Sequence, residues 1–271
     1  PSIARAIIES GPLEAQSAQK AGRVTAQLAK RLGVRADRRS FLGFSPEALL
    51  DARRDQAAGS SPLGGAPGFQ FAIDPDSLPR SPHEVLGSID TPLLIGTNTD
   101  EYRLWFTPEA LAGITSLKLL LARLALRIPR RAVDAVRSAF PGATTGEVFG
   151  QLATDIMLRA SMSRVARDRP ASTHVYEFAW PSPVRDLRAA HALELGFVFD
   201  RLDDEEARRL TGPDAPEALA EEMHGAWIAY VTSGDPGWPA YGAERTTRVF
   251  NAPSATMPQR RTAVVDLLPS R

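Results

Sequence analysis

With 271 residues, 32 basic side chains against 32 acidic ones and no cysteine, the chain is long enough for one large domain with a substantial buried core. The balanced charge offers no field to draw in nucleic acid or an anionic membrane, so a small neutral molecule is the better partner. The lack of cysteine excludes a thiol nucleophile, a thiolate metal site and a disulfide framework, leaving stability to packing. The sequence opens at Pro1 in mid-pattern, without an initiator methionine. A cytoplasmic protein is expected over a secreted one, with the native N-terminus and any leader lying upstream.

In chain order, the apolar, β-branched run 3–8, closed by Ser10-Gly11-Pro12, predicts a buried strand ending in a turn. Ala21, Val24, Leu28 and Leu32 then recur at helical spacing, and Gly33 stands where a C-terminal glycine would stop the helix. Residues 57–82, rich in Gly, Pro and Ser, predict a long surface loop. The uninterrupted apolar run 92–96 is that of a strand covered on both faces in a parallel sheet. From 108 to 169 the pattern is mainly helical. Its most apolar stretch, 117–126, is interrupted by Lys118 and Arg123 and is well short of the roughly 20 residues that span a membrane, so it reads as a buried or amphipathic helix.

Strand composition returns at 175–180. A helix through Leu219, Met223, Trp227, Tyr230 and Val231 ends at Ser233-Gly234-Asp235-Pro236, and 247–250 and 263–267 suit short final strands. Strands alternating with helices predict an α/β fold with a mostly parallel sheet, organised as one domain over 1–271.

The candidates for chemistry sit where α/β folds place them, past the carboxyl ends of strands. His191 follows the 175–180 strand and a proline-containing loop, and Glu101 follows the 92–96 strand with Asp100 as a rival acid. Taken singly, His191 is more simply a surface or packing residue, and Glu101 a solvated loop acid or a helix-start carboxylate. Together they respect the chain order acid then histidine of a nucleophile, acid, histidine triad. No Gly-x-Ser-x-Gly occurs: Gly43-Phe44-Ser45-Pro46-Glu47 and Gly59-Ser60-Ser61-Pro62-Leu63 both lack the closing glycine.

Arg5-Ala6-Ile7-Ile8-Glu9-Ser10-Gly11, Leu94-Ile95-Gly96-Thr97-Asn98-Thr99-Asp100-Glu101 and His191-Ala192-Leu193-Glu194-Leu195-Gly196-Phe197-Val198-Phe199 resemble three ordered segments of the type B carboxylesterases. These are the strand after the nucleophile helix, the Gly-x-Asn-x-Asp-Glu-Gly segment with the acid, and the segment with the histidine. Met223 to Tyr230, Ser233-Gly234-Asp235-Pro236 and Trp238-Pro239-Ala240-Tyr241 are similar to the late helix and the loop after it. Tyr102 departs from the family in replacing the glycine after the acid, and Gly196 stands where a larger or imino residue is usual.

The resemblance implies the C-terminal portion of an α/β-hydrolase, a mostly parallel sheet flanked by helices whose N-terminal half lies outside this chain. It implies hydrolysis of a small carboxylic ester by a Ser-His-Glu triad in which Glu101 is the acid and His191 the base, the serine lying upstream of residue 1. The missing N-terminal half would then be a partner, and the isolated chain, lacking nucleophile and oxyanion donors, is expected to be inactive. Ser10 would bond the acid, a plain turn serine being the alternative. Glu194 would be a supporting carboxylate or a helix-start acid. Trp105, Phe197 and Phe199 are candidates for lining the acyl or alcohol pocket, core packing being the plainer reading. No metal or organic cofactor is implied. A non-catalytic binding or adhesion protein of the same family is the alternative function.

Overall fold

The computed structural model describes residues 3–58 and 71–268, which fall into two compact units, Pro1–Leu13 with Leu86–Arg271 and Glu14–Val85. Five strands form one sheet in the larger unit: β1 (Ala6–Glu9), β2 (Leu93–Asn98), β3 (Thr173–Phe178), β4 (Thr246–Phe250) and β5 (Ala255–Pro258). Their spatial order is β1-β2-β3-β4-β5, parallel from β1 to β4 with β5 antiparallel at the far edge. Every residue of β2 and β3 is buried, as expected of central parallel strands covered on both faces.

In the smaller unit, α1 (Ala18–Leu32) starts at Ser17, whose side chain accepts from the Lys20 N–H, and stops at Gly33 with φ 70°. That left-handed geometry favours glycine, and Val24 and Leu28 of the predicted stripe are buried. A second helix, α2 (Pro46–Ala58), carries only a weak apolar stripe and is not evident from the sequence. Gln56 joins the two, donating to the Val24 carbonyl at 3.3 Å and to Gln27 Oε1 at 3.2 Å. Of the loop expected over 57–82, residues 59–70 lie outside those described. Beyond them, isolated bridges pair Gln16 with Ala72 and Asp74 with Leu78.

In the larger unit the predicted helical region resolves into α3 (Ser116–Ala125), α4 (Arg130–Ala139), α5 (Thr145–Thr154) and α6 (Ala160–Asp168), and the late helix is α7 (Glu217–Ser233). Thr144 and Glu147 form a reciprocal capping box that fixes the start of α5. A π-helical turn, Asp155–Arg159, joins α5 to α6. Successive side chains of a strand point to opposite faces. Thus Leu93, Ile95 and Val175 meet Met162, Val165 and Ala166 of α6. Leu94, Tyr176, Phe178 and Phe250 meet Met223, Trp227 and Tyr230 of α7. A third cluster joins Tyr102 to Val136, Val148, Leu152 and the C-terminal residues Val264, Val265 and Leu268.

Two expectations change. Residues 263–267 do not form a strand: Thr262–Val265 is a helical turn. Strand geometry would point Val264 and Val265 to opposite faces, whereas the turn sends both into the helical cluster. The last strand is instead Ala255–Pro258. The stretch 117–126 is amphipathic in an unexpected sense, because in α3 only Leu119 is buried while Leu117, Leu120, Leu121 and Leu124 face solvent.

Candidate active site

β2 carries the chain to the acid. Past its last residue, the Thr99 N–H donates to the Phe178 carbonyl and the Asp100 N–H to the Ala189 carbonyl, each at 2.9 Å, and Glu101 opens a single turn of 3-10 helix, Glu101–Leu104. The 189–191 loop is thereby tied to the end of β2, and the His191 N–H reaches the Glu101 carbonyl at 3.4 Å. Glu101 is fully buried.

Its carboxylate accepts from three donors. Oε2 lies 2.6 Å from His191 Nδ1, while Oε1 takes the Ser10 hydroxyl at 2.5 Å and the Asn98 backbone N–H at 2.6 Å. Ser10, just past β1, holds φ 47°, and its own N–H is bonded to the Gly96 carbonyl at 3.0 Å. An ionised carboxylate only accepts, so Nδ1 carries the imidazole proton and Nε2 is left with its lone pair. The His191 side chain is 31% exposed, and the Trp105 ring lies over it with centroids 4.8 Å apart. Burial would lower the imidazole pKa, but the hydrogen bond and charge of Glu101, with Glu194 behind, outweigh it and raise the pKa above its ordinary value.

Asn98 joins the acid to the histidine. It is fully buried, and while its N–H serves Glu101, its side-chain Nδ2 donates to the Ala190 carbonyl at 2.7 Å and to Glu194 Oε2. One residue therefore holds the Glu101 carboxylate and the residue just before His191. Glu194 is almost wholly buried; desolvation, followed by the nearby Glu101 charge, pushes its carboxyl up to about 7. Beneath Asn98, Arg159 from the π-helical turn donates to the Asn98 carbonyl at 2.7 Å and to the Thr99 carbonyl at 3.3 Å, and is paired with Asp155. Glu177 accepts from Thr99 Oγ1 at 2.8 Å, from Arg260 Nε at 2.9 Å, and from Arg261. Burial alone would raise the Glu177 carboxyl, but Arg261, Arg159 and Arg260 together hold it at about 2.

The structure thus brings Glu101, His191, Ser10, Glu194 and Trp105 together. It does not bring Phe197 to an open surface: that ring is fully buried in the core, 5.1 Å from Phe178 and 5.3 Å from Trp180, and offers nothing to a substrate. Phe199 is 64% exposed. Asp100 turns away from the imidazole and accepts from Gln151 at 2.6 Å. Tyr102 does not narrow the site, because its ring packs into the helical cluster against Gly150, where a Cβ would stand 2.2 Å from it. His174 and His224 bond the Trp238 and Val198 carbonyls at 3.0 and 2.8 Å and read as structural. Among the described residues, no group of three or more His, Asp or Glu side chains could hold a metal. Asn98, Arg159 and Glu177 were not singled out from sequence. Only Asn98 lay in a recognisable segment, and nothing in the spacing marked the other two.

A carboxylesterase structure from Geobacillus stearothermophilus superposes with a TM-score of 0.81 at 28% identity, covering 98% of this chain and 58% of that one. The fold is that of an α/β-hydrolase. The para-nitrobenzyl esterase of Bacillus subtilis (strain 168) is 29% identical over 262 residues, 92% of this chain and 53% of that protein. The phenmedipham hydrolase of Pseudarthrobacter oxydans is 27% identical over 263 residues, 89% of this chain and 52% of that protein. The homologues are para-nitrobenzyl esterases and carboxylesterases, the type B carboxylesterase family. No protein-family model matches the chain. It spans about half the length of the curated relatives it matches.

Proposed function

We propose that this chain is the C-terminal part of a carboxylic ester hydrolase and contributes the acid and the base of a Ser-His-Glu triad, the serine coming from the preceding half of the protein. Both compact units are read as parts of that one hydrolase domain. The carrying observation is the buried Glu101 carboxylate 2.6 Å from Nδ1 of a partly exposed histidine. Nε2 of His191 takes the serine proton as the hydroxyl attacks the ester carbonyl and returns it to the departing alcohol. Glu101 holds the tautomer that leaves Nε2 free to accept, and stabilises the imidazolium formed. Water then hydrolyses the acyl-enzyme by the same base. Ser10 and Asn98 fix the carboxylate, and Trp105 borders the imidazole on its open side.

The test uses the full-length protein and para-nitrophenyl acetate. His191→Ala is expected to lower kcat by about 10⁴-fold or more with little change in thermal unfolding. A full-length protein in which His191→Ala is as fast as the wild type refutes the assignment. Absence of turnover in the wild type, with some other residue at the expected serine, would favour the binding-protein reading.

A further inference from the structure

We infer that the outer face of α3 is a docking surface for an anionic phospholipid layer, on which the helix lies flat. Leu117, Leu120, Leu121 and Leu124 are between 43% and 64% exposed. Their i, i+3, i+4, i+7 spacing makes them one continuous stripe along the helix. The usual arrangement of a surface helix is inverted here, since Leu119, on the opposite side, is the buried leucine of the helix and packs in the helical cluster. Leu126, just past the helix, is also exposed.

The charges around this stripe choose the occupant. Between 117 and 134 the sequence holds five cations, Lys118, Arg123, Arg127, Arg130 and Arg131, and one acid, Asp134, which lies 3.8 Å from Arg130. Lys118, Arg127, Arg130 and Arg131 are exposed. The zero net charge of the whole chain conceals this local excess. A second copy seated on the stripe would bring two such clusters face to face, at a cost in like-charge repulsion. An anionic headgroup layer complements them: leucines enter the acyl boundary while long basic side chains stay at the level of the phosphates. Ten residues of helix cover only about 15 Å, and no helix among the described residues is long and apolar enough to cross a membrane. The fitting geometry is therefore a helix lying in the interface.

The test is cosedimentation of the full-length protein with vesicles of phosphatidylcholine and phosphatidylglycerol in equal parts, or of phosphatidylcholine alone. Binding is expected to the mixed vesicles only and to fall as salt is raised to about 0.5 M. The variant L121D/L124D should lower the partition coefficient at least about tenfold with an unchanged melting temperature, both leucines being exposed in this chain; a lowered melting temperature would give the stripe to the preceding half of the protein and overturn the inference. R127E/R131E should weaken binding to the mixed vesicles without touching the apolar stripe. A protein that stays in the supernatant, that pellets equally with neutral vesicles, or that binds undiminished in both variants overturns the inference. So does a dimer in ultracentrifugation that L121D/L124D dissociates while the vesicles remain unbound.

Discussion

Replacing Glu101 by glutamine keeps the outline of the side chain and turns one carboxylate oxygen into an NH2 group. The surroundings decide which one. The Asn98 backbone N–H, 2.6 Å from Oε1, can only donate, so the amide oxygen must remain there, and the Ser10 hydroxyl already donates to the same atom. The NH2 group therefore faces His191 Nδ1, at the position where Oε2 now lies 2.6 Å away. An NH2 group only donates, so Nδ1 must accept and the imidazole proton moves to Nε2. The base then presents an N–H to the serine and cannot take its proton. In a serine-hydrolase triad this tautomer swap costs about 10⁴-fold in kcat, equivalent to about 5.5 kcal/mol of barrier. The assay is kcat for para-nitrophenyl acetate with the full-length Glu101→Gln protein, accompanied by a thermal melt to confirm folding. A folded variant within about tenfold of the wild type would refute this reasoning, because the amide would then have found an orientation that the fixed Asn98 donor forbids.

Asn98→Ala keeps the backbone N–H to Glu101 but frees the Ala190 carbonyl and Glu194; with the histidine loop loosened by a fraction of an ångström, kcat should fall about 10²-fold, and a kcat unchanged in a folded variant would remove Asn98 from the site. Glu194→Gln should change the pH dependence of stability. A carboxyl raised to about 7 binds its proton more tightly folded than unfolded, so its destabilisation is absent below about 4.5, grows through 7 and is complete above it. Urea unfolding should therefore show the variant gaining up to about 3 kcal/mol more, relative to wild type, at pH 8 than at pH 4. Loss of the Glu194 charge should also lower the imidazole pKa and move the acid limb of kcat/KM to lower pH; superimposable profiles would contradict both statements. Glu177 behaves oppositely: held at about 2, it contributes stability that is present above about 4.5 and lost as pH falls toward 2. Glu177→Gln, which leaves Arg159 and Arg261 short of a counter-charge, should cost about 3–5 kcal/mol at neutral pH, and the deficit should shrink in unfolding measured at pH 3.

The sequence carries the sheet more openly than the helices around it. Leu93 to Ile95 form a conspicuous apolar run, as a strand covered on both faces favours, and Val175, Tyr176 and Phe178 mark the next strand by β-branched and aromatic composition despite Glu177 between them. β5 was not, since Ala255–Pro258 is short, exposed and ends in proline. The 263–267 segment misled because two adjacent valines suit a strand locally, while tertiary packing asked for both on one side. Glu101, His191 and Ser10 stood out through their segments rather than through any local rule, and the contact joining positions 101 and 191 depends on two parallel strands pairing in register. The bridging role of Asn98 was hidden because a side chain's hydrogen-bond partners are fixed by the fold and not by its neighbours in sequence. Arg159 and Glu177 were hidden more deeply: a buried ion pair has no signature in composition, and an arginine in a helical stretch reads as solvated. Phe197 and Phe199 look alike in sequence, but two residues apart on a helical turn they point about 200° around the axis from each other, one into the core and one to solvent.

The wider turn at Asp155–Arg159 acts as a phase shifter between two halves of one long helical rod. Before it, Val148 and Leu152 address the helical cluster; after it, Met162, Val165 and Ala166 address the sheet. Wound as an ordinary α-helix, the same residues would rotate everything downstream by about 100°. Those three side chains would swing off β2 and β3, and the arginine that props the acid-bearing strand end would swing with them. The wide turn already takes up one residue more than ordinary winding would, so a further residue inserted between 155 and 159 should be far less tolerated than substitutions on the exposed side of the same rod.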